Sequence, residues 1–489
     1  MKILALLLSL SLLVITHEFG HFLFARLFKT RVRRFYLFFN WKFSILKAKK
    51  FGGKWHFLFF NATTPEEWDE KHLAPEDQDN TLWGIGWIPL GGYCDIAGMI
   101  DETKGKDDME SEPQPWEYRS KRPWQRLCII SGGVLVNFVS ALLIYTCIFA
   151  HWGKDDLPLR NAALGYDYHE LLLAEGFQNG DIIYAIDGHE MSDIAKTQHT
   201  LLLDNPSTVT VMRHLTIADT VVCGDASSGE PVTLSISQRD TQMLVDIALS
   251  YDLLEKIDPR DTNLLFTIRM PFVVKDFAPG SHGKRAGLLP GDSVVGVNGK
   301  WMSSFSEISP ELANHKSEEI SMLFYRNGRL DSLTVAVDDA GKIGVYLVDP
   351  LQLFNSIHHD YSFFQAIPVG ISYGCNQLVT YARSLKILFT QDGYKGLGGF
   401  GTLGGLFPES WNWYSFWNIT AFLAVILAFM NVIPIPGLDG GHILFTLWEM
   451  VTRRKPSERF LEVAQTVGMV LLLALLILAN GNDIIKLFK

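Results

Sequence analysis

Residues Leu12–Phe24 read LLVITHEFGHFLF, an apolar run interrupted by His17, Glu18 and His21. The surrounding segment, residues 1–28, is long and apolar enough to span a bilayer, which takes about 20 residues. Ionisable groups inside a span cost about 2.5–3.5 kcal/mol each on insertion scales and default to a functional reading. His17 and His21 are four residues apart, so on a helix they share one face and can bind one zinc ion. Glu18 stands beside the first of them, placed to take a proton from water activated at the metal. HEFGH, and no small-residue cleavage site, follows the apolar run, so a span is expected in place of a cleaved leader.

Three further segments have the composition of spans: 124–150, 411–437 and 459–481. A stretch at 361–390 carries Gln365, Gln377, Arg383 and Lys386, and is read as an amphipathic helix lying on the membrane surface. Charge orients the chain. Arg26 to Lys54 is rich in Lys and Arg, Lys121, Arg122 and Arg126 precede the second span, and Arg453 to Arg459 separates the third from the fourth. All three clusters fall on one side of a four-span topology, and the positive-inside rule makes that side the cytoplasm. Both termini and the region between spans two and three are then extracytoplasmic.

Composition narrows the partners. The 489-residue chain is 48% hydrophobic and carries a net charge of -10, which leaves no basic surface for nucleic acid. Five scattered cysteines include no CxxC pair and form neither a disulfide framework nor a zinc knuckle.

Catalytic zinc usually keeps three protein ligands and one open position. Asn431–Ile443, NVIPIPGLDGGHI, offers two rivals for the third place, Asp439 and His442, in a Pro- and Gly-broken stretch where irregular backbone can line a polar cavity. Asp439 could equally cap the next helix and His442 could be a core histidine.

Residues 35–94 alternate aromatic and polar residues, from Phe35 to Phe43 and from Trp55 to Phe60, and end in WIPLGGYC at Trp87–Cys94. Farther on, 174–188 (AEGFQNGDIIYAIDG) and 285–299 (RAGLLPGDSVVGVNG) share a Gly-Asp turn feeding an apolar alternating run, the mark of two copies of one module.

HEFGH in a first span, WIPLGGYC, an asparagine in a later span and NVIPIPGLDGG together resemble the site-2 protease family of intramembrane zinc metalloproteases. The nearest likeness is to its bacterial branch with PDZ domains, of regulator-of-sigma-E type. The resemblance implies a polytopic α-helical membrane protein of four transmembrane helices, with a membrane-re-entrant β-sheet within 29–123. It also implies two extracytoplasmic PDZ-like domains, 158–255 and 262–350, and a place in a bacterial inner membrane. It makes Asp439 the third zinc ligand with His17 and His21, demotes His442, and leaves Glu18 as the catalytic base. Expected substrates are single-span membrane proteins such as anti-sigma factors or signal-peptide remnants, with an upstream site-1 protease as a further partner. A substrate strand would lie along Gly91, Gly92 and Tyr93, where the glycines lack side chains, and Asn431 would hydrogen-bond its backbone. Gly132, Gly133 and Asn137 are read as helix-packing residues. The alternatives are a non-catalytic PDZ scaffold with structural zinc, which has no need of Glu18, and a transporter, which would show inverted repeats and more spans.

Overall fold

The computed structural model describes residues 1–69, 72–89, 91–99, 112–223, 233–250, 252–256, 264–354, 356–386 and 398–487. The chain divides into two compact units, one formed by Met1–Gly153, Asp360–Leu388 and Tyr394–Lys489, the other by Lys154–His359. Among the described residues four helices are long and apolar enough to cross a membrane: Lys2–Leu27, Pro123–Trp152, Trp413–Val432 and Arg459–Ile484.

In the first unit, α1 (Lys2–Leu27) buries Leu6, Ser9, Leu13, Gly20 and His21 along one stripe. That stripe faces α2 (Pro123–Trp152), which starts on a proline whose missing N–H is no loss in a first turn. The two helices touch backbone to backbone: a Cβ on Gly20 would lie 2.2 Å from the carbonyl oxygen of Gly132. Small residues permit such a crossing, and dispersion between the close backbones holds it where lipid is as apolar as the helices. Toward the other end of α2, Ala141, Tyr145, Ile148 and Phe149 form a core with Leu6 and Leu13 of α1 and Phe416, Ala421 and Val425 of the Trp413–Val432 helix. The last helix, Glu458–Leu487, leaves Val463, Val467, Val470 and Ile477 exposed, an apolar surface suited to lipid.

The Phe363–Ser384 helix departs from the surface helix expected at 361–390, of which residues 387–390 lie outside the described set. It runs alongside α2 in the opposite direction, with Gly370 against Thr146 and, one turn later, Gly374 against Leu142. The physical reason is a stripe of small residues, Ala366, Gly370 and Gly374, all buried. Tyr373 packs its ring on Tyr145 and Phe149.

Five strands follow α1: β1 (Val32–Leu37), β2 (Ser44–Phe51), β3 (Lys54–Asn61), β4 (Leu82–Ile85) and β5 (Tyr93–Ile96). Their order in the sheet is β3-β2-β4-β1-β5, so β3 and β5 are its edges. Gly52 and Gly53, both at positive φ, turn β2 into β3 with the two-residue loop that suits strand twist. Phe22 of α1 packs on Phe35 and Trp83, fixing the sheet beside the second half of the first span. At β5, Tyr93 is opposite Tyr36 of β1, and their rings stack at 5.0 Å.

The second unit contains two hydrophobic cores. One gathers Tyr166, Ile183, Val209 and Phe266; the other Phe272, Val294, Ile308 and Phe324. Phe266–Ile268, expected in the second module, pairs instead with Tyr166–Tyr168 and packs in the first core. The two halves repeat one local plan at an offset of 111 residues. Asp187 and Gly188 make a positive-φ turn, as do Asn298 and Gly299. A helix follows each turn, Ile194–Leu203 and Phe305–Asn314. The aspartate of each Gly-Asp pair is buried and held by an arginine from a neighbouring strand. Arg213 reaches Asp181 at 2.6 Å and the Gly176 carbonyl at 2.9 Å; Arg326 reaches Asp292 at 2.6 Å and the Gly287 carbonyl at 2.9 Å. The unit opens with the strand Lys154–Asp156 and closes with the strand Ile357–His359, and these pair antiparallel, with His358 2.6 Å from Asp155.

Candidate metal centre

HEFGH lies within α1, and one helical turn brings the imidazoles of His17 and His21 to the same face, their Nε2 atoms 3.2 Å apart. Asp439 arrives from the far end of the chain. The Trp413–Val432 helix stops where Pro434 and Pro436 cannot continue it, Gly437 turns at φ 97°, and Asp439 begins the next helix, Asp439–Thr452. Gly440 and Gly441 make that fold-back possible, because a Cβ on either would strike the backbone of Ile433 or Ile435. The new helix is tied down by Arg126, in the first turns of α2, which donates to Glu449 at 2.6 Å, both side chains nearly buried.

Oδ2 of Asp439 lies 3.2 Å from Nε2 of His17 and 3.5 Å from Nε2 of His21. It is buried and accepts no hydrogen bond in the described structure, a costly condition for a carboxylate unless a cation shares the site. Tetrahedral zinc with bonds of 2.0–2.2 Å places its ligand atoms about 3.3 Å from one another, and the three observed separations match that edge. The second helix makes the room: a Cβ on Gly133 would come within 2.6 Å of His21 Nε2 and 2.7 Å of His17 Cε1. His21 Nδ1 lies 2.9 Å from the Ile129 carbonyl, which can only accept, so Nδ1 carries the proton and Nε2 presents its lone pair to the centre. These residues fit a zinc ion. Two imidazoles, one carboxylate and space for a fourth position are the donor set of a catalytic site.

Glu18 is half-buried, one residue beyond His17 on α1. Asn431 sits buried in the last turn of the Trp413–Val432 helix, just ahead of the turn that delivers Asp439. His442 is one helical turn past Asp439 and is absent from the convergent set of His17, His21 and Asp439.

The structure explains Gly91 and Gly92 differently from the expectation that they leave space for a bound strand. A Cβ on Gly91 would strike the Phe39 ring at 2.7 Å, and one on Gly92 the Tyr36 carbonyl oxygen at 2.5 Å. The protein's own β1 and the loop after it demand both glycines. Gly92 also borders Val14, so the edge strand β5 begins beside α1 one turn before His17.

Gly133 does more than pack helices, since it shapes the space at the histidines. Asn137 is buried beside His17, its amide nitrogen 3.5 Å from Nδ1, and is legible in the sequence only as an asparagine within an apolar span.

Two imidazoles from a helix apolar enough to cross a membrane and a carboxylate from the helix Asp439–Thr452 converge as a metal site of the kind that metal-dependent hydrolases use. The chain belongs to peptidase family M50, whose model matches residues 5–64 and 70–475. It is 23% identical to a Neisseria meningitidis serogroup A protein over 99% of each chain. It is 26% identical to a Vibrio cholerae protein over 99% of this chain and 98% of the relative. A Borreliella burgdorferi protein is 25% identical over 99% of this chain and 98% of its own length. Each of the three is named "Putative zinc metalloprotease".

Proposed function

We propose that this chain is an intramembrane zinc metalloprotease that cuts the membrane-spanning segment of single-span proteins. The observation that carries the reading is the convergence of Asp439 on His17 and His21, which lie with Glu18 in a helix apolar enough to span a bilayer. Zinc at this site supplies a Lewis acid that polarises the scissile carbonyl and lowers the pKa of water. His17, His21 and Asp439 hold it; Glu18 takes the proton from the attacking water and delivers it to the leaving amine as the C–N bond breaks. The buried surroundings exclude bulk water and strengthen every charge interaction in the site.

A peptide bond inside a helix is shielded by its own hydrogen bonds, so the substrate must be unwound and held extended. The edge strand β5, beginning beside Val14, is the platform we assign to it, with Asn431 as a further donor to its backbone. The basic clusters support a reading with the β1–β5 sheet toward the cytoplasm and unit Lys154–His359 outside, in a bacterial inner membrane. Its two β-rich modules are read as PDZ-like. They act on access, excluding substrates with large outer domains until a site-1 protease has trimmed them. Anti-sigma factors and signal-peptide remnants are the substrate classes in view, and regulated intramembrane proteolysis is the setting.

The test is cleavage of a single-span model substrate by purified protein and its Glu18→Gln variant. Loss of general acid–base chemistry should lower the rate about 10²–10⁴-fold with zinc content unchanged. A Glu18→Gln protein that cleaves at the original rate rules out the mechanism.

A further inference from the structure

Three residues at successive turns of α2, Ile129, Gly133 and Asn137, form one stripe against the two histidines of α1. Each does something different. The Ile129 carbonyl takes the Nδ1 proton of His21 at 2.9 Å. Gly133 yields the space that a side chain would take from both rings. Asn137, fully buried, has its Oδ1 2.6 Å from Thr16 Oγ1 and its Nδ2 3.5 Å from His17 Nδ1.

We infer that Asn137 is a positioning residue for His17, holding its imidazole in the tautomer that leaves Nε2 bare for the metal. The inference rests on the zinc reading above. A neutral imidazole that ligates through Nε2 must carry its proton on Nδ1, and a buried N–H needs an acceptor. His21 has the Ile129 carbonyl for this purpose, and Asn137 is the side chain placed to serve His17.

Proton bookkeeping then sets the amide. Its nitrogen end faces His17 in the structure, but the two ends have the same shape, so a half-turn of the amide brings the oxygen to His17 in the same space. Thr16 Oγ1 lies 2.9 Å from the Leu13 carbonyl and 3.1 Å from that of Leu12, both pure acceptors, so its one proton goes to the backbone. Its lone pairs are then open to a donor, which the Asn137 NH₂ provides. The Asn137 oxygen is left facing Nδ1–H of His17. Every group in the chain Leu13–Thr16–Asn137–His17 is satisfied in this orientation, and both Nε2 lone pairs face Asp439. Partners of this kind fix ring orientation and raise ligand basicity, and their loss typically costs about 10–100-fold in metal affinity.

A packing role and a positioning role predict opposite outcomes for two substitutions. Asn137→Leu keeps the volume and removes the acceptor; Asn137→Asp keeps an acceptor oxygen and adds charge. The measurement is zinc affinity by chelator competition on full-length detergent-purified protein, with helix content followed by circular dichroism. We expect Asn137→Leu to bind zinc about 10–100-fold more weakly and Asn137→Asp to stay within a few-fold of the unmodified protein. Asn137→Ala, which opens space and does not fill it, carries the same expectation as Leu should the Leu variant misfold. Affinity within twofold for Leu, or for Ala, overturns the inference while the zinc reading stands. Unmodified protein without stoichiometric zinc removes both.

Discussion

Nε2 of His17 and Oδ2 of Asp439 stand 3.2 Å apart, although one belongs to the first helix of the chain and the other to the helix before the last. The site exists only when the ends of the first unit have packed on α2, so metal binding and assembly of the membrane helices are coupled. His17→Ala, His21→Ala and Asp439→Asn should each lose stoichiometric zinc, and Glu18→Gln should retain it. Metal analysis of the four purified proteins checks this; an Asp439→Asn protein with full zinc counts against the assignment.

Gly133 and Gly132 are neighbours with different predicted failures. Gly133→Ala drives a methyl to 2.6 Å from His21 Nε2, so zinc affinity should fall on the order of tenfold or more while the helices stay assembled. Gly132→Ala meets the Gly20 carbonyl oxygen at 2.6 Å, which forces the two helices apart and should lower thermal stability. Equal effects of the two changes on unfolding temperature would contradict this division.

The β5 edge makes a spatial prediction. A photo-crosslinking amino acid at Tyr93, in the Glu18→Gln background, should capture a single-span substrate. The same probe at Trp55, on the opposite edge strand β3, should capture lipid and little substrate. Substitution of Gly92 is a poor test of strand binding, since its clash with Tyr36 would damage the sheet in any event.

Buried Asp292 predicts acid sensitivity in the unit Lys154–His359. Burial works to raise the Asp292 pKa, but hydrogen bonds from Arg326 and from the Leu289 N–H outweigh it and hold the carboxyl below its usual range. A carboxyl lowered on folding stabilises fully above its unfolded pKa of about 3.9 and loses that contribution as pH falls through the folded value. Proteolytic sensitivity of 154–359 should therefore rise steeply below about pH 4, and less steeply in Asp292→Asn. Asp181→Asn should destabilise the first module by about 1–3 kcal/mol at neutral pH, measured by denaturant unfolding.

Access can be tested by excision. Because Lys154–Asp156 pairs with Ile357–His359, a short turn joining Asp156 to Ile357 should close the chain without strain. If the outer unit is a size filter, that variant should cleave a substrate still carrying a bulky outer domain, which the intact protein refuses. Unchanged selectivity would exclude the filter.

His17, Glu18 and His21 were legible because three ionisable residues at helical spacing have no inexpensive explanation in an apolar run. Asp439 was one of two rivals until resemblance pointed to it, and the turn at Gly437 shows why His442 loses: it begins one turn farther along the helix. Asn137 and Gly133 could not be read, because a lone asparagine and a glycine pair in a span look alike whether they pack or position; only the register of α2 against α1 separates the cases. The 361–390 segment misled for a related reason. Its Gln and Arg residues suggested a water-facing side, whereas the burial is decided by Ala366, Gly370 and Gly374, which carry almost no hydropathy signal. In the two β-rich modules the Gly-Asp repeat is visible, but its arginine partners at 213 and 326 come from other strands and fall outside any local pattern.

The paired strands Lys154–Asp156 and Ile357–His359 put the beginning and end of the second unit side by side. The chain therefore enters and leaves this unit through one doorway. Neighbouring ends are the condition under which a domain tolerates insertion into another chain, so whatever is spliced in or out between these two strands leaves the connectivity of His17 and Asp439 unaltered.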